Sequence, residues 1–267
     1  MLEILSFNFM QNALLAGVII SIICGIIGTL VVVNRMVFIA GGIAHGAYGG
    51  IGLAFFLGFS PLFGAGAFAI VLSLIVAFLT LKDMGRVDAV IGALWAFGMA
   101  IGIILTDLTP GYNVDLMSYL FGSILTVPSK DLWVMLGIAT SIVVIFSLFF
   151  KEFQATSFDL EFAYLRGINV KFFHYLLLIL IALAVVATIR VVGLVLVIAL
   201  LSIPPYIAER VSGRLFLMMI ISILLNLFFI FSGLAIAYAF DLTSGASIIL
   251  VASFCFFISL LFTKSRS

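Results

Sequence analysis

Long apolar runs, each ended by one or a few polar residues, occupy most of the chain between residues 11 and 263. A helix of about 20 apolar residues is about 30 Å long, which matches the hydrocarbon thickness of a bilayer. Backbone facing lipid must satisfy its own hydrogen bonds, so each run is predicted to be an α-helix. The pattern predicts nine spans, at residues 11–33, 36–57, 61–81, 88–106, 131–150, 172–189, 191–209, 214–239 and 246–263.

The sixth and seventh runs leave the span count open between eight and nine. Arg190 separates these two runs with almost no loop, and Pro204 and Pro205 interrupt the seventh. Because proline removes a helical hydrogen bond, a broken or re-entrant helix is one alternative there, and two ordinary spans are the other.

Composition supports a membrane environment and excludes several classes of partner. The 267 residues are 66% hydrophobic and only 9% charged, whereas a soluble domain has about 25% charged residues. The expected fold is an all-α integral membrane protein, a polytopic bundle in which residues 1–267 form a single transmembrane domain surrounded by membrane lipid. A net charge of +1 provides no basic field, so no nucleic acid is expected as a partner.

The cationic residues predict the orientation of the spans. If the N-terminus lies outside, ten of the twelve Lys and Arg residues fall on the inner side, namely Arg35, Lys82, Arg86, Lys151, Arg166, Lys171, Arg210, Arg214, Lys264 and Arg266. Only Lys130 and Arg190 fall outside. This bias follows the positive-inside rule and predicts an external N-terminus and a cytoplasmic C-terminus. The expected location is the plasma (inner) membrane, crossed several times.

The segments between spans are too short to form a soluble domain of about 50 residues or more. The two longest are an external segment at about 107–130 and an internal segment at 151–171. The sequence has no G-x-x-x-x-G-K-[ST] run for binding phosphates. Any transport that uses ATP therefore requires a separate ATPase, and this chain is not expected to be an enzyme.

Within the internal segment, residues 157–167 are predicted to form a short helix. Ser157 or Thr156 is suited to cap its start, because a hydroxyl accepts a hydrogen bond from a free backbone N–H. Asp159 and Glu161 then lie in the first turn, where the helix dipole favours negative charge.

The same helix is predicted to have one apolar face and a defined end. Phe158, Phe162 and Leu165 recur at i, i+4 and i+7, which places them on one side. Arg166 lies in the last turn, and Gly167 suits the left-handed conformation that ends a helix. The apolar face either rests on lipid or docks a soluble partner, and periodicity alone leaves both alternatives open.

His45, one of two histidines, is the first candidate for transport chemistry. It lies about ten residues from each end of the span at 36–57, hence about 15 Å deep, near the bilayer midplane. An ionisable residue at that depth suggests a function, and neutral imidazole is a common ligand of divalent transition metals. The alternative is a packed histidine that is hydrogen-bonded to a neighbouring carbonyl.

Glycines surround this histidine. Gly41 and Gly42 lie one turn before it, and Gly42, Gly46 and Gly50 form a stripe of small residues. Such glycines allow close helix packing, and they also allow local unwinding that would expose carbonyl oxygens beside the imidazole. Both interpretations stay open.

Five other polar residues are weaker candidates. Asp107, Asp115 and Asp241 are predicted on the outer side, where they either attract cations to the entrance or are solvated loop acids. His174 is expected to form a structural hydrogen bond near the start of the sixth span. Asn226, in the middle of the eighth span, is expected to form an interhelical hydrogen bond.

Four stretches resemble one family in their order and spacing: NRMVFIAGGIAHGAYGG, DLMSYLFGSILTVPSKDLW, SFDLEFAYLRG and DLTSGASIILVA. The chain resembles the membrane permeases of zinc, manganese and iron ABC importers over about residues 11–263. The resemblance implies a second permease copy, a cytoplasmic ABC ATPase docked on residues 157–167 and an extracytoplasmic metal-binding protein. It also implies a divalent metal as substrate, ATP bound by the ATPase, and no cofactor held by this chain.

The chain departs from that family at several positions around this histidine, among them the family's serine and proline, which are Ala44 and Gly49 here. The family pattern around the histidine is I-G-D-A-x-S-H-A-x-x-P-G, and this sequence keeps the imidazole as His45 but has Gly41 in place of the aspartate. Each copy then offers a single imidazole at this level, together with any carbonyls near Gly41 and Gly42. The substrate is therefore either a bare transition-metal ion or, alternatively, a metal chelate or other small solute.

Two other function classes find less support. A stand-alone carrier or channel coupled to ions usually has carboxylates within the membrane, and no acid lies deep in a span here. An intramembrane enzyme needs several catalytic or metal-binding groups, and the sequence has neither H-E-x-x-H nor paired aspartates.

Overall fold

The computed structural model describes residues 7–82, 87–110, 122 and 124–262. Within these residues the regular structure is α-helical, apart from a single 3₁₀-helical turn at Ile124–Thr126. The α-helices are α1 (Asn8–Val33), α2 (Val37–Gly46), α3 (Tyr48–Leu57), α4 (Pro61–Lys82), α5 (Val87–Asp107), α6 (Ser129–Leu148), α7 (Phe150–Phe158), α8 (Leu160–Leu165), α9 (Val170–Val211), α10 (Leu215–Phe240) and α11 (Ser244–Phe262).

Nine helical segments in the described part of the chain are long and apolar enough to cross a membrane. Helices α2 and α3 together make one of them, Val37–Leu57, and α9 contains two, Val170–Ile189 and Val191–Val211. The predicted all-α, polytopic fold class is confirmed, with nine candidate spans instead of eight. The orientation of the termini stays a prediction.

The break in the helix of the seventh span lies at Gly193. Its backbone angles, φ 77° and ψ 166°, fall in a region that essentially only glycine adopts. Pro204 and Pro205, which the sequence suggests as the interruption, lie inside the helix. Proline is tolerated in membrane helices because neighbouring groups and small local adjustments satisfy the freed carbonyls. The backbone of Gly122, itself at φ 65°, packs directly against Val192 and Gly193.

The chain divides into two compact units. The first unit comprises residues Met1–Val33, Met117–Ile145 and Ala187–Ser267, and the second comprises Asn34–Leu116 and Phe146–Val186. The expectation of one transmembrane domain over the whole chain stays a prediction.

In the first unit, small residues of α1 receive large side chains of α10. A Cβ on Gly25 would lie 2.8 Å from the backbone nitrogen of Ile223, so the two helices pack closely there. The Thr29 hydroxyl donates to the Gly25 carbonyl at 2.7 Å and lies 3.3 Å from the Ser222 hydroxyl.

The predicted interhelical hydrogen bond of Asn226 is absent among the described residues. Its side chain is fully buried in α10, and neither the amide nitrogen nor the amide oxygen has a partner there. Helix α1 packs against α10, and Ser21 carries the only hydroxyl of α1 between Gly17 and Gly25. That hydroxyl donates its proton to the Gly17 carbonyl at 2.7 Å, so the proton is not available to Asn226.

In the second unit, glycines bring helix backbones together. A Cβ on Gly50 of α3 would overlap the Gly64 carbonyl of α4, and a Cβ on Gly102 of α5 would lie 2.6 Å from the Tyr48 carbonyl. The backbone stays helical through Gly41 and Gly42 of α2. Close packing is therefore the interpretation of the glycines that the structure favours over local unwinding.

Candidate functional site

His45 lies in the middle of the Val37–Leu57 span and is only 9% exposed. Helix α2 ends one residue later, at Gly46. Ala47 nevertheless keeps right-handed helical angles, and its N–H donates to the Ile43 carbonyl at 2.9 Å. Helical hydrogen bonds therefore lead from α2 into α3 through Ala47, and His45 lies in the last turn of α2.

The imidazole of His45 stacks on the indole of Trp95 in α5. The ring centroids are 4.1 Å apart, and the planes differ by only 7°. Phe38, about two turns before His45 on α2, lies 6.2 Å from the indole at 45°. The indole N–H donates to Met99 Sδ at 3.0 Å, one turn along its own helix. Trp95 thus covers one face of the imidazole.

The glycines around His45 explain how an indole can lie so close. A Cβ on Gly42 would overlap Ile91 of α5, and a Cβ on Gly46 would overlap the Leu72 side chain of α4. From the other side, a Cβ on Gly98 would lie 2.5 Å from the Gly46 carbonyl and 2.6 Å from its Cα. Without side chains at these positions, α2 and α5 approach closely enough for the two rings to meet face to face.

One nitrogen of the imidazole has no protein partner. Among the described residues, His45 Nδ1 is buried and has no hydrogen bond. The alternative of a histidine bonded through this nitrogen to a neighbouring carbonyl is therefore not what the structure shows. A ring nitrogen that is not engaged by the protein can bind a divalent ion through its in-plane lone pair.

The described residues offer this imidazole no cluster of further ligands. They contain no group of three or more His, Cys, Asp or Glu side chains that could hold a metal ion. Gly41 lies buried inside α2 and has no donor side chain. The expectation of one imidazole per copy at this level, suited to brief contact, stays a prediction.

His174, the second histidine, is held differently. Its Nε2 lies 2.7 Å from the Thr80 hydroxyl of α4, near the start of α9. The predicted structural hydrogen bond of His174 is confirmed.

Trp95 is the residue of this site that the sequence analysis misses. Tryptophan in membrane proteins is concentrated at the two membrane–water interfaces. Trp95 lies about 12 Å along α5 from its first residue, near the middle of an apolar helix. That unusual depth is the signal that could have identified it.

The internal segment forms two helices, and its cap differs from the predicted one. Helix α7 ends at Phe158, and Asp159 is extended, at φ −151° and ψ 98°. The Asp159 carboxylate accepts the N–H of Phe162 at 2.9 Å and so caps α8. The prediction that Ser157 or Thr156 caps this helix, with Asp159 in its first turn, is therefore wrong.

Both hydroxyls have other partners, which accounts for the difference. The Thr156 hydroxyl donates back to the Glu152 carbonyl at 2.9 Å, and the Ser157 hydroxyl accepts the Asn34 amide at 2.9 Å. Because Phe158 belongs to α7, it does not share a continuous helical face with Phe162 and Leu165 of α8 as predicted. Glu161 does lie in the first turn of α8, as expected.

The predicted end of the segment is confirmed. Gly167 has φ 78°, and its N–H donates to the Tyr164 carbonyl at 3.0 Å. The N–H of Ile168 donates to the Ala163 carbonyl at 3.1 Å, which completes a Schellman ending. The Arg166 guanidinium lies 4.9 Å from the centre of the Phe162 ring.

Helix α8 leaves large apolar side chains exposed. A shallow groove of about 340 Å³ is lined by Leu160, Glu161, Tyr164 and Leu165. Leu165 is 83% exposed and Tyr164 is 75% exposed. On the preceding helix, α7, Phe153 is almost fully buried and contacts the rings of Phe146 and Phe173, with centroid distances of 5.9 and 5.4 Å.

The three predicted outer acids are only partly described. Asp107 is exposed at the end of α5, and Asp241 is exposed just after α10. Asp241 has φ 53°, and the following residue, Leu242, donates to the Ala237 carbonyl at 2.9 Å, so this acid ends a helix. Asp115 lies outside the described residues, and a cation-attracting group of all three stays a prediction.

Known proteins match the chain over nearly its whole length. The ABC 3 transport family matches residues 6–263. Membrane protein slr2045 of Synechocystis sp. is 48% identical, with 99% of this chain and 94% of the relative covered. The manganese transport system membrane protein MntC of Halalkalibacterium halodurans is 34% identical, with 99% and 90% covered. Among solved structures, PsaBC from Streptococcus pneumoniae superposes with a TM-score of 0.87 at 31% identity, covering 98% of this chain and 95% of that one.

Proposed function

Because the chain belongs to the ABC 3 transport family, we propose that it is the membrane subunit of an importer that moves divalent manganese inward. As a family member it is an ABC transporter permease of the plasma membrane. Manganese is proposed as the substrate because the relatives named MntC, 34% identical over almost the whole chain, are manganese transport proteins.

One observation supports a metal ion passing through this chain: a buried imidazole in mid-span whose Nδ1 has no partner among the described residues. Imidazole nitrogen is a preferred ligand of zinc and iron ions, whereas manganese favours oxygen ligands such as carbonyls and carboxylates. A single imidazole at His45 holds such an ion weakly, so the ion is released again. Two permease copies would supply two such imidazoles along the path.

The energy is proposed to come from a separate ATPase that docks on α8. This helix exposes Leu165 and Tyr164, and a docked protein would bury that apolar surface. Helix α7, which precedes the docking helix in the chain, contacts α6 and the start of α9 through the ring of Phe153. A push on α8 is therefore proposed to pass through α7 to membrane-spanning helices. On the outer face, a metal-binding protein would deliver the ion.

One uptake experiment with two variants tests these roles separately. The chain is expressed with its ATPase and its extracytoplasmic binding protein in cells that lack their own manganese importers, and ⁵⁴Mn uptake is measured. His45→Ala is expected to reduce uptake at least about tenfold, as loss of metal-site groups does, while the ATPase still co-purifies. Leu165→Asp places a charge in the docking surface and is expected to lose both uptake and co-purification.

Matched controls define what contradicts the proposal. His174→Gln changes the other histidine and is expected to keep uptake near the wild-type rate. Normal manganese uptake by His45→Ala would remove the histidine from the path. Wild-type uptake of zinc or iron in preference to manganese would change the substrate, and uptake of a metal chelate alone would favour that alternative. If the Leu165→Asp variant still binds the ATPase, α8 is not the docking surface, and the alternative of a helix that rests on lipid is favoured.

A further inference from the structure

We propose that Trp95 is a positioning residue that fixes the plane of the His45 imidazole and thereby sets how tightly the permease binds its metal substrate. The proposal rests on the proposed function, since it assigns a role beside the same histidine. Its basis is the parallel stack of the two rings, 4.1 Å between centroids and 7° between planes.

The imidazole benefits from such a support because its Nδ1 is not held by the protein. A histidine that binds a metal is usually fixed in orientation by a hydrogen bond at its other ring nitrogen. His45 Nδ1, the nitrogen proposed to bind the ion, has no hydrogen bond among the described residues, so no bond at that atom fixes the ring before an ion arrives. Stacking restrains the ring plane, since tilting the imidazole would push it into the indole or break the contact.

The stack leaves the metal-binding atoms free. A nitrogen lone pair of imidazole lies in the plane of the ring, so an ion binds at the rim of the stack and not between the rings. The indole covers a face that has no ligand atom. Trp95 can therefore orient the imidazole without competing with the ion.

The indole is itself held in place from three directions. Its N–H donates to Met99 Sδ at 3.0 Å, and the Phe38 ring lies 6.2 Å away on the α2 side. The near contact of Gly98 with Gly46 fixes the separation of α5 from α2. These contacts position the indole before any ion arrives.

The positive charge of a bound ion is expected to strengthen the stack between the His45 imidazole and the Trp95 indole. The face of an indole is electrically negative and attracts cations and positively charged rings. An imidazole that donates a lone pair to a divalent ion becomes more positive, so the stack stabilises the metal-bound imidazole more than the empty one. Removal of the indole is therefore expected to weaken binding of the ion.

Manganese uptake by three tryptophan variants tests this role. Trp95→Leu is expected to raise the KM for manganese about tenfold, the size of effect seen for groups that orient metal ligands, with the maximal rate within about twofold of wild type. Trp95→Phe keeps an aromatic face and is expected to recover most of the affinity. Trp133, the only other tryptophan of the chain, has a side chain that is 74% exposed. Trp133→Phe therefore serves as the matched control, and its KM is expected to be unchanged.

Fluorescence of the purified full-length permease gives a readout that a packing role would not alter. In the Trp133→Phe chain, Trp95 is the single tryptophan, and Mn²⁺ is titrated while its emission is recorded. A saturable change in emission is expected, and adding His45→Ala should abolish it. In the Trp95→Phe chain, the emission of Trp133 should show no saturable response.

The outcomes separate this proposal from the proposed function. An unchanged KM in Trp95→Leu overturns the positioning role, as does a loss confined to the amount of folded protein in the membrane. The positioning role is also overturned if the fluorescence of Trp95 does not change on titration with Mn²⁺ in a chain whose transport depends on His45. Normal manganese transport by His45→Ala overturns the proposed function itself, whatever the Trp95 variants do.

Discussion

The two histidines of the chain lie in helices of the same compact unit, yet their rings are held by different contacts. His174 places its Nε2 2.7 Å from the Thr80 hydroxyl. His45 is stacked on Trp95, and its Nδ1 has no partner in the described part of the chain. One imidazole uses its nitrogen to join two helices, whereas the other is held by its face.

This difference separates a histidine that is engaged in a structural hydrogen bond from one whose Nδ1 has no partner among the described residues. A nitrogen bonded to a hydroxyl must lose that bond before it can bind an ion, at a net cost of about 1 kcal/mol. A stacked imidazole loses nothing, because stacking uses the π face and metal binding uses the ring edge. His45 is therefore the histidine suited to exchange a passing ion.

The largest effect is expected from Gly98→Ala, which tests whether close helix approach creates the stack. The new Cβ would lie 2.5 Å from the Gly46 carbonyl, and no flexible side chain is there to yield. The helices must separate, with an expected loss of about 1–3 kcal/mol in unfolding free energy and a manganese uptake at least about tenfold lower. Uptake and the unfolding midpoint of purified protein are the measurements.

Gly92 on the same helix provides the matched control. A Cβ at Gly92 meets nothing within 4 Å, so Gly92→Ala is expected to leave uptake unchanged. Its unfolding midpoint should be equal or higher, since alanine is the better helix former by about 1 kcal/mol. Equal damage by the two substitutions would show that any glycine of α5 matters and would remove the link to His45.

A smaller effect, confined to stability, is expected from Thr80→Val. The substitution keeps the shape of the side chain but removes the hydroxyl beside His174 Nε2, at an expected cost of about 1–3 kcal/mol in unfolding free energy. The KM for manganese should not change, because this pair belongs to the structural histidine. Thr80→Ser retains the hydroxyl and should unfold close to wild type. A raised KM in Thr80→Val would place His174 in the transport path and break the comparison.

The smallest effect is expected from His174→Gln. The glutamine amide can take the place of the ring nitrogen beside Thr80, so the unfolding free energy should fall by less than about 1 kcal/mol. The same exchange at His45 should reduce manganese uptake while leaving the unfolding midpoint nearly unchanged. Similar profiles for the two glutamine variants, measured side by side for unfolding and uptake, would contradict the distinction between the histidines.

The spans and the end of α8 could be predicted from the sequence because their causes are local. Bilayer thickness sets the length of each apolar run, and the nine predicted runs correspond to the nine candidate spans of the described chain. Gly167 ends α8 because glycine readily adopts the left-handed backbone conformation that stops a helix, and this depends on the residue itself.

The other features depend on which distant residues meet. Ser157 has the side chain of a helix cap but is hydrogen-bonded to Asn34, which leaves the cap to Asp159. The position of Trp95 over His45 depends on the alignment of α5 with α2, and no periodicity within either helix specifies that alignment. The helix of the seventh span breaks at Gly193 although the prolines that follow are the stronger sequence signal.

The pairing of Gly122 with the break at Gly193 has a consequence for how this chain can evolve. Any side chain at Gly122 would meet the backbone of Val192 and Gly193, which has no atom to give up. Any side chain at Gly193 would strain a backbone angle that essentially only glycine adopts. A second mutation elsewhere can shorten a side chain but cannot shrink a backbone. Substitution of either glycine is therefore costly, and descendants that keep this helix break are expected to retain both.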